Sequence, residues 1–110
     1  EGLVNAFKAT LEEAEEADLL IHVVDICDPR MKDQIASVES ILAEMDMLAK
    51  PRLLVFNKID LLDAQVANNI CNLHSAFGVS ALVRKSMRPL LARIEAMLWK
   101  AQEPNIPEGE

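Results

Sequence analysis

"LLVFNKIDLL", residues 53–62, decides how the rest of the chain is read. Four apolar residues, Leu53 to Phe56, lead into an amide, an ammonium and a carboxylate at Asn57, Lys58 and Asp60, after which Leu61 and Leu62 resume the apolar pattern. A short apolar run with a valine and an aromatic predicts a buried strand, "RLLVF" at 52–56. Asp63 is then placed to cap a helix whose apolar positions are Val66, Ile70 and Leu73, ending near Phe77-Gly78. A buried strand that stops in polar side chains just before a helix marks the carboxyl edge of a parallel sheet, where open α/β sheets bind their ligands.

Working outward, "DLLIHVVD" at 18–25 is apolar throughout except for His22 and its flanking aspartates, which predicts a second strand covered on both faces. Leu3, Phe7, Leu11 and Ala14 recur at helical spacing, with Glu12, Glu13, Glu15 and Glu16 on the other face, so a helix is expected over about 3–17. Asp28-Pro29 reads as an N-cap followed by proline at the first helical position. The stripe Ile35, Val38, Ile41, Leu42, Met45 and Leu48 continues that helix, and Lys50-Pro51 is expected to end it. A very short strand is predicted near 78–80. After Ser86, a last helix carries Met87, Leu90, Leu91, Ile94, Met97 and Leu98 on one stripe, with Pro89 in its first turn. Residues 102–110 are polar, contain two prolines and are expected to be loose.

This alternation predicts an α/β fold: three parallel strands with flanking helices on both faces of the sheet, joined by right-handed crossovers. Doubly wound sheets usually hold five or six strands. The chain also opens at Glu1 without a methionine, so the expectation is a piece of a domain whose N-terminal half lies upstream.

Bulk properties narrow the function. A length of 110 residues suits one domain, and 51% hydrophobic residues exclude a disordered chain. A net charge of −7 argues against a nucleic-acid backbone or an anionic membrane as direct partner. There is no apolar run long enough to span a bilayer and no export leader, which predicts a cytoplasmic protein, or one of an organelle matrix or stroma. Cys27, Cys71, His22 and His74 show no ligand spacing; they read as reduced or structural residues, and no metal site is expected.

The polar insert has a specific chemistry. A carboxylate on a tight strand-to-helix loop can accept the two parallel N–H groups that guanine presents and adenine lacks, a role that suits Asp60. The Lys58 stem can lie over a flat ring while its ammonium stays wet. Asn57 can tie its loop to a neighbouring loop or touch a ring nitrogen. Ser80-Ala81 ends the third strand on the same edge and adds a backbone N–H suited to a carbonyl oxygen such as guanine O6. The plainer alternative is that Asn57 and Asp60 only form a turn and cap the next helix.

Asn-Lys-x-Asp after a buried strand, with Ser-Ala some twenty residues later, resembles the fourth and fifth motifs of translation-factor-type GTPases. Asn-Lys-x-Asp alone arises by chance in about one chain in a hundred of this length. The strand context and Ser80-Ala81 sharpen the match. "LVNAFKATLEEAEEADLLIHVVDICDP" joined to "LLVFNKIDLLD" resembles, more specifically, the HflX family of ribosome-associated GTPases in the stretch after their second switch, over about residues 3–98.

The resemblance implies a partial P-loop NTPase fold, the C-terminal portion of a Ras-like G domain over 1–101, with 102–110 as a flexible tail. It implies GTP or GDP with Mg²⁺, and action on the large subunit of stalled or stressed ribosomes. Asn57, Lys58 and Asp60 would recognise guanine; Ser80 and Ala81 would support it, and Leu82 would flank the ring. The phosphate loop G-x-x-x-x-G-K-[ST] and the switch residues that hold Mg²⁺ are absent from these 110 residues. After Leu82 the chain reads "VRKSMRPL" where the family has a glycine-containing, acidic turn. GTP hydrolysis is therefore expected of the full-length protein and not of this chain alone, for which self-association or low stability is expected. The alternative is a degenerate α/β half-domain, a non-enzymatic interaction module that binds partners through its acidic first helix or through Arg84, Lys85, Arg88 and Arg93.

Overall fold

A computed structural model describes residues 2–102, in the order α1 (Gly2–Glu12), β1 (Leu20–Asp25), α2 (Met31–Glu44), β2 (Arg52–Asn57), α3 (Ala64–Leu73), β3 (Phe77–Gly78) and α4 (Arg88–Gln102). Short 3₁₀ turns occupy Ile59–Leu61 and Arg84–Met87. Gln102 closes α4, and the rest of the expected loose tail, 103–110, lies outside the described residues.

The three strands form one parallel sheet in the order β1-β2-β3. Its centre is β2, whose side chains alternate between two layers. Phe56, fully buried, packs with Val24, Ile26 and Met31 and with Ala67 and Cys71 of α3. Leu53 and Val55 face the other way, against Val79, Leu90 and the half-buried Ile94 and Met97 of α4. Thus α2 and α3 cover one face and α4 the other, as the alternation of elements predicted.

Several expectations need correction. First, β1 is not covered on both faces: Ile21 is 43% and Val23 58% exposed. These two side chains share the α4 face by register with Leu53 and Val55, but α4 packs over β2 and β3 and β1 is the terminal strand. Second, α1 stops at Glu12 rather than near 17. Its glutamates gather at the end of the helix, where the dipole is negative, and the backbone tightens into i→i−3 bonds from Glu13 to Ala17. The helix has no buried residue; Lys8 instead pairs with Glu44 of α2 at 2.6 Å.

Third, α2 and α3 end earlier than expected, through the same device. Asp46 (φ 58°) and Ser75 (φ 53°) take the left-handed conformation just past the helix. In α2 the Asp46 N–H reaches the Ala43 carbonyl at 3.2 Å and the Met47 N–H reaches that of Leu42 at 2.9 Å. In α3 the Ser75 N–H reaches Asn72 at 3.2 Å and the Ala76 N–H reaches Cys71 at 2.8 Å. Both are Schellman terminations, so Lys50-Pro51 does not stop α2. The start of α2 also moves, to Met31: Asp28 turns the chain by accepting from the Arg30 N–H at 2.8 Å and from the Gln34 amide at 3.1 Å.

Fourth, the buried face of α3 is Ala67 and Cys71, while Val66 and Leu73 are 46% and 75% exposed. Small residues win because α3 crosses the strand at Gly78, where an added Cβ would sit 2.9 Å from Cys71 Sγ and 3.0 Å from Ile59 Cγ2. Asp63 does cap α3 as expected, accepting from the Gln65 N–H at 2.9 Å. The stripe on α4 is narrower than its sequence suggested, since Leu91 is 56% exposed.

The close approach at Gly78 is testable. Gly78→Ala is expected to cost about 1–3 kcal/mol of unfolding free energy in urea, the range for overpacking. Cys71→Ala in the same chain should recover part of that loss, whereas strictly additive losses would show that the two residues do not press on one another.

Candidate functional site

The carboxyl edge of the sheet brings together three strand ends. Asp25 ends β1 and Asn57 ends β2, opposite one another in register. Past β3 the chain continues through Val79 to Ser80, held by a bond from the Val79 N–H to the Phe56 carbonyl at 2.8 Å. The polar residues singled out in "NKID" and "SA" therefore sit on neighbouring loops because the buried parts of their strands are paired.

The turn after β2 is tightly bonded to itself. Lys58 is in the left-handed region (φ 67°, ψ 32°), where a non-glycine residue costs about 1–2 kcal/mol. Asn57 holds it there by accepting the Lys58 N–H at 2.8 Å on its side-chain oxygen. Two backbone bonds tie this turn to its neighbours: Ile26 N–H to Asn57 carbonyl at 3.1 Å, and Ile59 N–H to Val79 carbonyl at 3.2 Å. The expected tie between loops is thus made by the backbone of Asn57, while its side chain acts locally.

Lys58 reaches back across the edge and pairs with Asp25 at 3.2 Å. Asp25 also accepts the Cys27 N–H at 2.8 Å. That backbone bond first, and the Lys58 ammonium second, hold the Asp25 carboxyl below its ordinary range. Neither contact was read from the sequence; an aspartate ending a strand was the only signal for this one.

Asp60 and Ser80, twenty positions apart, meet directly: the Ser80 hydroxyl donates to Asp60 Oδ1 at 2.6 Å. Ser80 is almost fully buried, at 1% exposure, and also accepts the Leu82 N–H at 3.1 Å. Its own N–H is used by Ser86, whose hydroxyl accepts it at 2.9 Å and donates to the Val83 carbonyl at 2.6 Å. Of the Ser80-Ala81 pair, the N–H without a partner among the described residues is that of Ala81. Ser86 was missed as a site residue, since nothing marks a serine ahead of a proline-started helix as a loop tie. Leu82, 83% exposed, stands beside this loop, and Asp60 Oδ2 accepts no bond among the described residues.

Among the groups left open are one oxygen of the Asp60 carboxylate, the Ala81 N–H, the Lys58 stem and the exposed Leu82. That set can accept from and donate to a planar polar ring and cover its face. Among the described residues there is no group of three or more histidine, cysteine or acidic side chains able to hold a metal ion, and no helix is long and apolar enough to cross a membrane. Burial pushes the Cys71 thiol up, away from reactivity.

No family model matches the chain. Individual relatives do. The chain is 41% identical over 101 residues to the GTPase HflX of Caldanaerobacter subterraneus subsp. tengcongensis, covering 92% of this chain and 23% of the relative. It is 38% identical over 100 residues to the GTPase HflX of Magnetococcus marinus, covering 90% and 23%. To the GTPase HflX of Escherichia coli it is 51% identical over 61 residues, 56% of this chain and 14% of the relative. The chain thus spans less than a quarter of the length of these curated relatives. Identity at this level over most of its residues shows that the chain matches a fragment of an HflX-type GTPase.

Proposed function

We propose that residues 1–101 are the C-terminal portion of a P-loop GTPase domain and that their sheet edge reads the guanine base of GTP or GDP. The observation that carries this reading is the 2.6 Å bond between Ser80 and Asp60, which joins the two motif segments into one site. Asp60 accepts the two parallel N–H groups of guanine, using Oδ2 and the remaining lone pair of Oδ1. Ala81 donates its N–H to the ring carbonyl. Lys58 covers one face with its stem, and Leu82 flanks the ring. Asn57 and Ser80 act by holding the Lys58 and Asp60 loops in place. The ribosome as the target of the complete protein, and a cytoplasmic or organelle-matrix setting, rest on the family resemblance.

The residues present fit the base and not the rest of the nucleotide. No phosphate loop occurs in these 110 residues and no carboxylate set among the described ones fits Mg²⁺. Charge-assisted bonds to Asp60 are worth about 1.5–3 kcal/mol each, whereas association costs about 4–15 kcal/mol in lost freedom. The base edge alone therefore leaves little net affinity.

Three outcomes are expected. In a complete HflX-type GTPase carrying this segment, Asp60→Asn should exchange the preference for guanosine over xanthosine nucleotides by at least tenfold, measured by competition for a fluorescent nucleotide; an unchanged preference would sink the base assignment. The 110-residue chain should show neither hydrolysis nor micromolar GTP binding by isothermal titration. Because the outer edge of β1 is unpaired among the described strands and Ile21 and Val23 are exposed beside it, the isolated chain is also expected to self-associate. A clean monomer by light scattering would contradict that.

A further inference from the structure

The contact between Lys58 and Asp25 has no place in the hydrogen-bond logic of base reading, yet it decides where the Lys58 stem goes. Asp25 is the register partner of Asn57, on the strand next door. A lysine that starts one residue beyond Asn57 and ends 3.2 Å from Asp25 Oδ2 must lay its methylenes along the carboxyl edge from β2 to β1. Among the described residues Lys58 pairs with no other carboxylate. Asp25 is itself held: its Oδ1 accepts the Cys27 N–H at 2.8 Å, so the carboxylate cannot turn away without losing a second bond.

We infer that Asp25 is a positioning residue for nucleotide binding, which pins the Lys58 ammonium so that the stem forms a ready-made apolar shelf under the base. The inference rests on the base-reading site proposed above. Without Asp25 the four-carbon stem samples many rotamers in solvent, and the nucleotide must order it on arrival. The two side chains are 55% and 37% exposed, so the pair is a partly screened one. An effect of about two- to fivefold on affinity follows, the range for pairs of that exposure.

The test uses a complete HflX-type GTPase carrying this segment, with fluorescent GDP as probe. Asp25→Asn is expected to weaken binding about two- to fivefold, although its amide oxygen still serves the Cys27 N–H. Asp25→Glu should keep most of the affinity, since it keeps the charge for Lys58. A role confined to the Cys27 turn would give the reverse order, with asparagine tolerated and glutamate not, and would overturn the inference. In a Lys58→Met background Asp25→Asn should have no further effect; an undiminished loss there also overturns it. Asp60→Asn, run alongside, separates the two levels. If it switches base preference while Asp25→Asn is silent, the base-reading site stands and the positioning role falls; if it leaves preference unchanged, both fall.

Discussion

Everything at the carboxyl edge depends on β2 being buried from both sides. Phe56 and Val55 are consecutive residues at 0% and 1% exposure, one filling the layer under α2 and α3, the other the layer under α4. A slip of one residue would send each into the wrong layer. Burying a side chain of that size is worth about 1.5–3 kcal/mol, so the register is firmly specified. Asn57 is the first residue past this clamp. Its position opposite Asp25, and that of Ser80 beyond Phe56 and Val79, are consequences of core packing rather than of any contact the polar residues make.

That dependence explains which parts of the fold were legible in the sequence. "RLLVF" and "LLIHVVD" were readable as strands because apolar runs of that length have few other uses, and the Asp63 cap was readable because its chemistry is local. Coverage was not readable. An apolar run reports what a residue would like against it, and Ile21 and Val23 show the same letters as a buried strand while lying beyond the reach of α4. Helix ends failed for a related reason. Asp46 and Ser75 adopt a conformation usually left to glycine, so the chain turns where no glycine or proline announces it. On α3, periodicity favoured Val66, Ile70 and Leu73, of which Ile70 packs against the core, but the helix meets Gly78 through Cys71 and its buried residues are Ala67 and Cys71.

At the candidate site, the residue types were legible and their partners were not. Asn57, Lys58, Asp60 and the Ser80-Ala81 pair stood out by spacing, and the fold does gather them on one edge. Yet the sequence offered a backbone N–H from Ser80-Ala81 without saying which, and that of Ser80 is taken by Ser86 while its hydroxyl binds Asp60. Such bonds run between residues six and twenty positions apart across a turn whose course "VRKSMR" does not reveal. Asp25 was visible as a strand end, but its pairing with Lys58 spans thirty-three positions and follows only from the strand register.

The balance of these contacts bears on how such an edge could discriminate among ligands. Lys58 sits in a backbone conformation that costs about 1–2 kcal/mol. A neutral hydrogen bond returns about 0.5–1.5 kcal/mol net, so the Asn57 side-chain bond alone roughly offsets the strain, and the ties to Ile26 and Val79 secure the turn. The loop is therefore shaped before any ligand arrives. Preorganisation of this kind removes ordering cost from binding, and the groups it leaves uncommitted among the described residues include Asp60 Oδ2 and the Ala81 N–H. A ring that offers a donor to the first and an acceptor to the second satisfies both. One with the opposite pattern would leave a carboxylate oxygen facing an acceptor, a mismatch costlier than any single bond the edge can make. Selectivity at this edge would thus come mainly from what the rigid loop cannot rearrange to accept.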